Sequence, residues 1–78
     1  PNVKIKIGGY TDNVGDAKSN LVLSTDRAFN VMGELIKLGI AKDRLSAEGY
    51  GQDHPIADNN TEEGRQQNRR ISVRVTEK

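Results

Sequence analysis

The chain has 78 residues, 33% of them hydrophobic and 4% aromatic, which limits it to one small, mainly aliphatic core. Charged residues make up 29% with a net charge of +1, so bulk charge gives no case for a nucleic-acid partner. With no cysteine there is neither a disulfide framework nor a thiolate zinc site, and no apolar run approaches the roughly 20 residues that span a bilayer.

No signal-peptide pattern is present, and the chain starts at Pro1-Asn2, one residue before a strand pattern, as expected of a piece of a longer protein. Val3, Ile5 and Ile7 alternate with Lys4 and Lys6, which predicts a half-buried strand that Gly8 and Gly9 end. Gly9-Tyr10-Thr11-Asp12-Asn13-Val14-Gly15 then forms a strand-to-helix loop, the place where α/β sheets tend to bind ligands. Residues 16–23 read either as turn or as the start of a helix. Ser24 is the expected N-cap, with Ser19 as the alternative, and Asp26 lies in the first turn. The helix runs to about Leu38, with Ala28, Val31, Met32, Leu35 and Leu38 on its apolar face and Phe29 and Ile36 flanking it. Met32 and Phe29 are expected in the core. Gly39 and Ile40 have the chemistry of a Schellman ending.

Residues 44–50 predict a second strand, which makes a βαβ unit with parallel strands and a right-handed crossover. Residues 51–60 form a loop rich in Gly, Pro, Asp and Asn. Thr61 can cap a short helix, with Glu62 and Glu63 in its first turn and Arg69 and Arg70 near its end. Ile71, Val73 and Val75, alternating with Ser72, Arg74 and Thr76, predict the last strand.

Asp12 in its loop and Arg27 close behind it are the chemically informative pair. Together a carboxylate and a guanidinium can grip a zwitterion, although Thr-Asp-Asn-x-Gly is also sound turn chemistry. If Ser24 caps the helix, Arg27 stands in the first turn, the unfavourable end for a cation, and needs a carboxylate either from Asp12 or from a ligand. The cluster Arg65, Arg69, Arg70 and Arg74 is diluted by Glu62, Glu63 and Glu77 and has no interleaved aromatic residue, which disfavours nucleic acid. His54, the one histidine, sits in an Asp-His-Pro turn with no second histidine for a metal. Asp53 and Asp58 are ordinary loop residues. No nucleophile set, metal or cofactor site is expected, and the chain is not expected to be an enzyme.

The motifs carry more together than singly. In order they are Gly9-Tyr10-Thr11-Asp12-Asn13-x-Gly15, Asn20-x-x-Leu23-Ser24-x-x-Arg27-Ala28, Gly39-Ile40, Arg44-Leu45, Gly49-Tyr50-Gly51, Pro55-Ile56-Ala57-Asp58-Asn59, Thr61, Gly64-Arg65 and Asn68-Arg69-Arg70. At these spacings, over residues 3–76, the chain resembles the OmpA-like domain, the peptidoglycan-binding C-terminal module of many Gram-negative envelope proteins. The resemblance implies a non-catalytic wall anchor on the periplasmic side of the outer membrane. Residues 1–78 would then be one OmpA-like peptidoglycan-binding domain, incomplete at its N-terminus. By position, Thr11, Asp12 and Arg27 would bind meso-diaminopimelate of the peptide stem, Asp12 taking the ammonium and Arg27 the carboxylate. Asn20, Leu23 and an Arg of the Asn-Arg-Arg segment, taken as Arg69, would border the groove. The same fold can instead serve as a protein–protein interaction module of the envelope.

The resemblance also implies the architecture, an α/β two-layer β-α-β-α-β piece with a mixed sheet and helices on one face. It would lack the family's first strand and helix, so part of the binding rim would be absent. The last strand should pair antiparallel with residues 3–9, which should pair in parallel with residues 44–50. That leaves residues 71–76 as an open edge able to self-associate. No membrane contact by the domain itself is expected.

Overall fold

The computed structural model describes residues 3–77; Pro1 and Asn2, where the sequence reading sets the abrupt start, lie outside it. In chain order the elements are β1 (Lys4–Tyr10), α1 (Ala17–Lys37), a 3-10 turn (Lys42–Arg44), β2 (Leu45–Gly51), α2 (Glu62–Asn68) and β3 (Arg70–Glu77). The sheet has the expected order β2-β1-β3, with β1 parallel to β2 and antiparallel to β3.

Gly8 and Gly9 do not end the first strand, which continues to Tyr10. Gly9 pairs with Gly49 on one side and Ile71 on the other. α1 crosses the sheet over these glycines. A Cβ on Gly9 would run into the Ser24 carbonyl, and one on Gly49 into Thr25. Two glycines side by side on adjacent strands thus let the helix backbone settle close to the sheet.

The helix starts earlier than Ser24 or Ser19 would set it. Asp16 is the N-cap, and its carboxylate accepts from the Ser19 N–H at 3.2 Å, a capping bond that Asp makes as well as Ser. Ser24 is therefore in the helix interior and wholly buried. Its hydroxyl donates to the Leu21 carbonyl and accepts the Gly51 N–H, both at 2.9 Å, which ties α1 to the end of β2. The C-terminus follows the expected Schellman pattern. Gly39 has φ +105° and donates to Ile36 O at 3.0 Å, and Ile40 N–H donates to Leu35 O at 3.1 Å. Thr61 caps α2 through a 3.0 Å bond from Gly64 N–H.

Among the described residues, the fully buried apolar set is Ile7 and Ala28. Leu38, expected on the core face, is 80% exposed, and Phe29, expected in the core, is 48% exposed. Leu38 is the helix cap and so lies past the end of the packed face, and Phe29 lies about 100° round the helix from Ala28, beside the face that Ser24 and Ala28 bury. Ile71, Val73 and Val75 are paired with Gly9, Ile7 and Ile5, so they share the α1 face of the sheet. Yet they remain 37%, 58% and 53% exposed, because α1 packs on β1 and β2.

The polar face carries a ladder of side chains. Arg70 lies over the Tyr10 ring at 3.8 Å, Tyr10 stacks on Tyr50 with centroids 5.1 Å apart, and Lys6 lies 5.5 Å from the Tyr50 centroid. His54 meets both tyrosines edge-on. That contact absorbs the histidine into the packing of the 51–60 loop.

The glycine contact gives a direct stability test. Gly9→Ala is expected to destabilise the fold by roughly 1–3 kcal/mol, since the Ser24 backbone must move away. Urea unfolding checks it; an unchanged midpoint would mean that the helix is free to shift.

Candidate functional site

Thr11 and Asp12 follow β1 directly and are among the most buried polar residues, at 5% and 7% exposure. Thr11 N–H donates to Gly51 O at 2.8 Å, which extends the β1–β2 pairing into the loop. The Thr11 hydroxyl donates to the Asp12 carbonyl, also at 2.8 Å. Asp12 Oδ1 accepts the Val14 N–H at 3.1 Å, an Asx turn that fixes the carboxylate to its own loop. From α1, the Asn20 side-chain amide reaches the Val14 carbonyl at 3.0 Å, Gln52 Oε1 at 3.2 Å and the Asp12 carbonyl at 3.4 Å. Asn20 thereby holds both loops that border Asp12.

The charge partner of Asp12 is Arg69, with Nη1 donating to Oδ2 at 2.6 Å. Of the two carboxylates the sequence leaves open to Arg27, Asp12 or one from a ligand, the structure sets aside Asp12, which pairs with Arg69 instead. Arg27 lies in the middle of α1 instead of its first turn, so its expected conflict with the helix dipole does not arise. It is exposed and makes no ion pair among the described residues. Asn20, Leu23 and Arg27 are spaced at i, i+3 and i+7, so they form one stripe of the helix that begins at the Asp12 loop. Leu23 is 42% exposed on that stripe. Thus Thr11, Asp12, Asn20 and Arg69 are joined by hydrogen bonds or one ion pair, and Leu23 and Arg27 continue the Asn20 stripe along α1.

Two participants were missed. Glu62 accepts from Arg69 Nη2 at 2.8 Å and from Arg65 Nε at 3.2 Å, giving a run of alternating charge Asp12–Arg69–Glu62–Arg65. The i+3 spacing of Glu62 and Arg65 was a visible signal; the link to Arg69 was not. Asn68 is wholly buried. Its Oδ1 accepts the Ile56 and Ala57 N–H groups at 2.7 and 3.0 Å, and its amide donates to Asn59 Oδ1 at 2.8 Å and Ala57 O at 3.1 Å. It ties the 51–60 loop to the end of α2 and so places Arg69. Arg69 and Arg70 diverge from there, one toward Asp12 and the other onto Tyr10, which splits the basic cluster between two surfaces.

Burial by itself would raise the Asp12 carboxyl, but the hydrogen bonds from Arg69 and Val14 and the nearby positive charge outweigh it and hold it below its ordinary value. Among the described residues no group of His, Cys, Asp or Glu can hold a metal ion, and no helix is long and apolar enough to cross a membrane.

A sequence profile of the OmpA family matches residues 1–69. Outer membrane porin F of Pseudomonas fluorescens is 43% identical over 75 residues, which cover 96% of this chain and 23% of that protein. The peptidoglycan-binding protein ArfA of Mycobacterium tuberculosis is likewise 43% identical over 75 residues, with 96% and 23% covered. Among solved structures, the peptidoglycan-associated lipoprotein from Burkholderia pseudomallei is similar with a TM-score of 0.93 at 33% identity, covering 97% of this chain and 64% of that one. The chain therefore spans only part of each.

The Asp12–Arg69 pair gives a pH test. A carboxyl held below its ordinary value of 3.8 contributes stability above that pH, and the contribution is lost as pH falls through the folded value. Arg69→Ala is expected to raise the Asp12 carboxyl, since burial is then offset less, and to remove part of the acid-induced loss of stability. A carboxyl titration by NMR reads the first effect; an Asp12 value unmoved by the substitution counts against the pairing.

Proposed function

Because the chain belongs to the OmpA family, we propose that it is a non-catalytic module that binds peptidoglycan through meso-diaminopimelate of the peptide stem and anchors an envelope protein to the cell wall. The observation that carries this reading is the placement of a buried carboxylate, Asp12, at the foot of the helix stripe Asn20, Leu23 and Arg27. Two of the acceptor positions of Asp12 are used, one by Val14 and one by Arg69, and an ionised carboxylate has about four, so room remains for an ammonium. Arg27 is uncommitted among the described residues and stands two helical turns, roughly 10 Å, along the axis from Asn20. The Cα–Cβ bonds of a helix tilt toward its N-terminus, so the loop lies on the side toward which the Arg27 side chain sets out. In this reading Asp12 takes the ammonium, Arg27 takes the carboxylate as a charge-assisted fork, and Thr11, Leu23 and Arg69 border the groove.

The names of the relatives, a porin, a peptidoglycan-binding protein and a peptidoglycan-associated lipoprotein, support the coarser part of this reading, a peptidoglycan-associated envelope module, and we assign residues 1–78 as one binding domain on the periplasmic side of the outer membrane.

The expected outcome of removing either charge is a large loss of binding with the fold kept. Asp12→Ala and Arg27→Ala should each weaken binding of a diaminopimelate-type muropeptide by about tenfold or more, because each leaves an opposite ligand charge unmatched. A lysine-type stem lacks the second carboxylate and should also bind about tenfold or more weakly to the unaltered chain. Amide-shift titration measures all three. A folded Arg27→Ala variant that binds normally, or equal affinity for both stems, removes Arg27 from its role.

We further propose that β3, whose outer edge is unpaired among the described residues, pairs with a second copy of this chain. Antiparallel pairing centred on Val73 sets Ile71 against Val75 and each Arg against Ser72 or Thr76 of the other copy. Centring on Ser72 or Arg74 sets Arg against Arg, which is unfavourable. A Val73→Cys variant, the only cysteine in the chain, should oxidise to a linked dimer. A monomer by sedimentation at high concentration, with no cross-link, refutes the pairing.

A further inference from the structure

Resting on the peptidoglycan reading, we propose that Glu62 is a positioning residue that keeps Asp12 able to hold an ammonium, acting through Arg69. The geometry behind this is the division of one guanidinium between two carboxylates. Arg69 Nη1 donates to Asp12 Oδ2 at 2.6 Å, and Nη2 donates to Glu62 Oε2 at 2.8 Å. Freed from Glu62, the planar fork can close on Asp12 with both arms, the geometry an Arg–carboxylate pair favours. Three of the about four acceptor positions of Asp12 would then be taken, since Oδ1 already accepts the Val14 N–H, and an ammonium would find less room. With Glu62 holding the second arm, Arg69 takes up a single acceptor position of Asp12.

Charge balance points the same way. Asp12, Arg69, Glu62 and Arg65 sum to zero along a continuous run of contacts at 2.6, 2.8 and 3.2 Å. Without Glu62 the surroundings of Asp12 hold Arg65 and Arg69 against one carboxylate, with Arg27 further along α1. An approaching ammonium then meets net positive charge within a Debye length, about 8–10 Å. Glu62 is well exposed, with a side-chain accessibility of 62%, so its effect is that of a rim charge, moderate and dependent on salt. It also stands in the first turn of α2, where an anion suits the helix, but Glu63 beside it keeps that role in a variant.

The test uses Glu62→Ala, which removes the acceptor as well as the charge, in the whole chain and two probes, a diaminopimelate-type muropeptide and the same muropeptide with its free amine acetylated. The unaltered chain is expected to prefer the free amine. The variant is expected to lose roughly three- to tenfold in affinity for that form, with little change for the acetylated form, and the difference should shrink as salt rises. A second readout needs no ligand. In the variant the Asp12 carboxyl, followed by NMR titration, should move further down, since Arg69 closes on it and a neighbouring negative charge is gone. Equal losses for both probes would show a structural role only and overturn the proposal. So would unchanged affinity together with an unmoved Asp12 titration. If the unaltered chain binds neither muropeptide, the peptidoglycan reading falls and this inference with it, an outcome distinct from normal binding with an indifferent Glu62.

Discussion

The helix can lie on this sheet only where no side chain stands between them, and Gly9 and Gly49 supply that place on neighbouring strands. Everything near the site depends on this close approach. It brings Ser24 within reach of the Gly51 N–H, so a polar helix residue satisfies the strand end instead of being stranded in the interior. It also sets the N-terminal half of α1 against the loop after β1, where the Asn20 amide can hold the backbone around Asp12. In a chain whose fully buried apolar side chains are Ile7 and Ala28, such hydrogen bonds define the packing as much as apolar burial does.

The second organising feature is the buried carboxylate. Asp12 is nearly inaccessible, and an ionised group there must be compensated. The compensation comes from two directions, the loop's own Val14 N–H and Arg69 at the mouth of β3. The loop after β1 is thereby fastened to the far end of the chain. Asn68 contributes by gathering the 51–60 loop, so that Arg69 emerges from a defined position. Asp12 is thus a carboxylate fixed in place whose charge is moderated by Arg69, a cation it shares with Glu62, while Arg27 along the helix makes no ion pair among the described residues.

The two faces of the sheet divide the remaining work. On the polar face, Arg70, Tyr10, Tyr50 and Lys6 stand in a row across three strands and fill the surface between β3 and β2. On the other face, α1 covers β1 and β2 and leaves the branched row of β3 open to solvent.

Local chemistry was readable in the sequence. The alternation at Val3, Ile5 and Ile7, the Schellman ending at Gly39 and Ile40 and the Thr61 cap depend on residues a few positions apart, and each is present as read. The order of motifs carried the family and, through it, the strand order. The start of α1 was misplaced because Asp16, Ser19 and Ser24 are all acceptable caps, and local preference does not choose among them. Phe29 was misjudged because helical periodicity gives the direction of a face but not how far the opposing sheet extends. The partner of Asp12 was beyond local reasoning altogether. Arg69 lies 57 positions away and Arg27 only 15, yet the antiparallel return of β3 beside β1 brings Arg69 to the carboxylate. Sequence by itself determined which segments are strands and helices, where α1 ends and which residue caps α2, because those preferences act over a few residues. Only the tertiary structure decided which charges meet, because that is set by the register between strands that lie far apart along the chain.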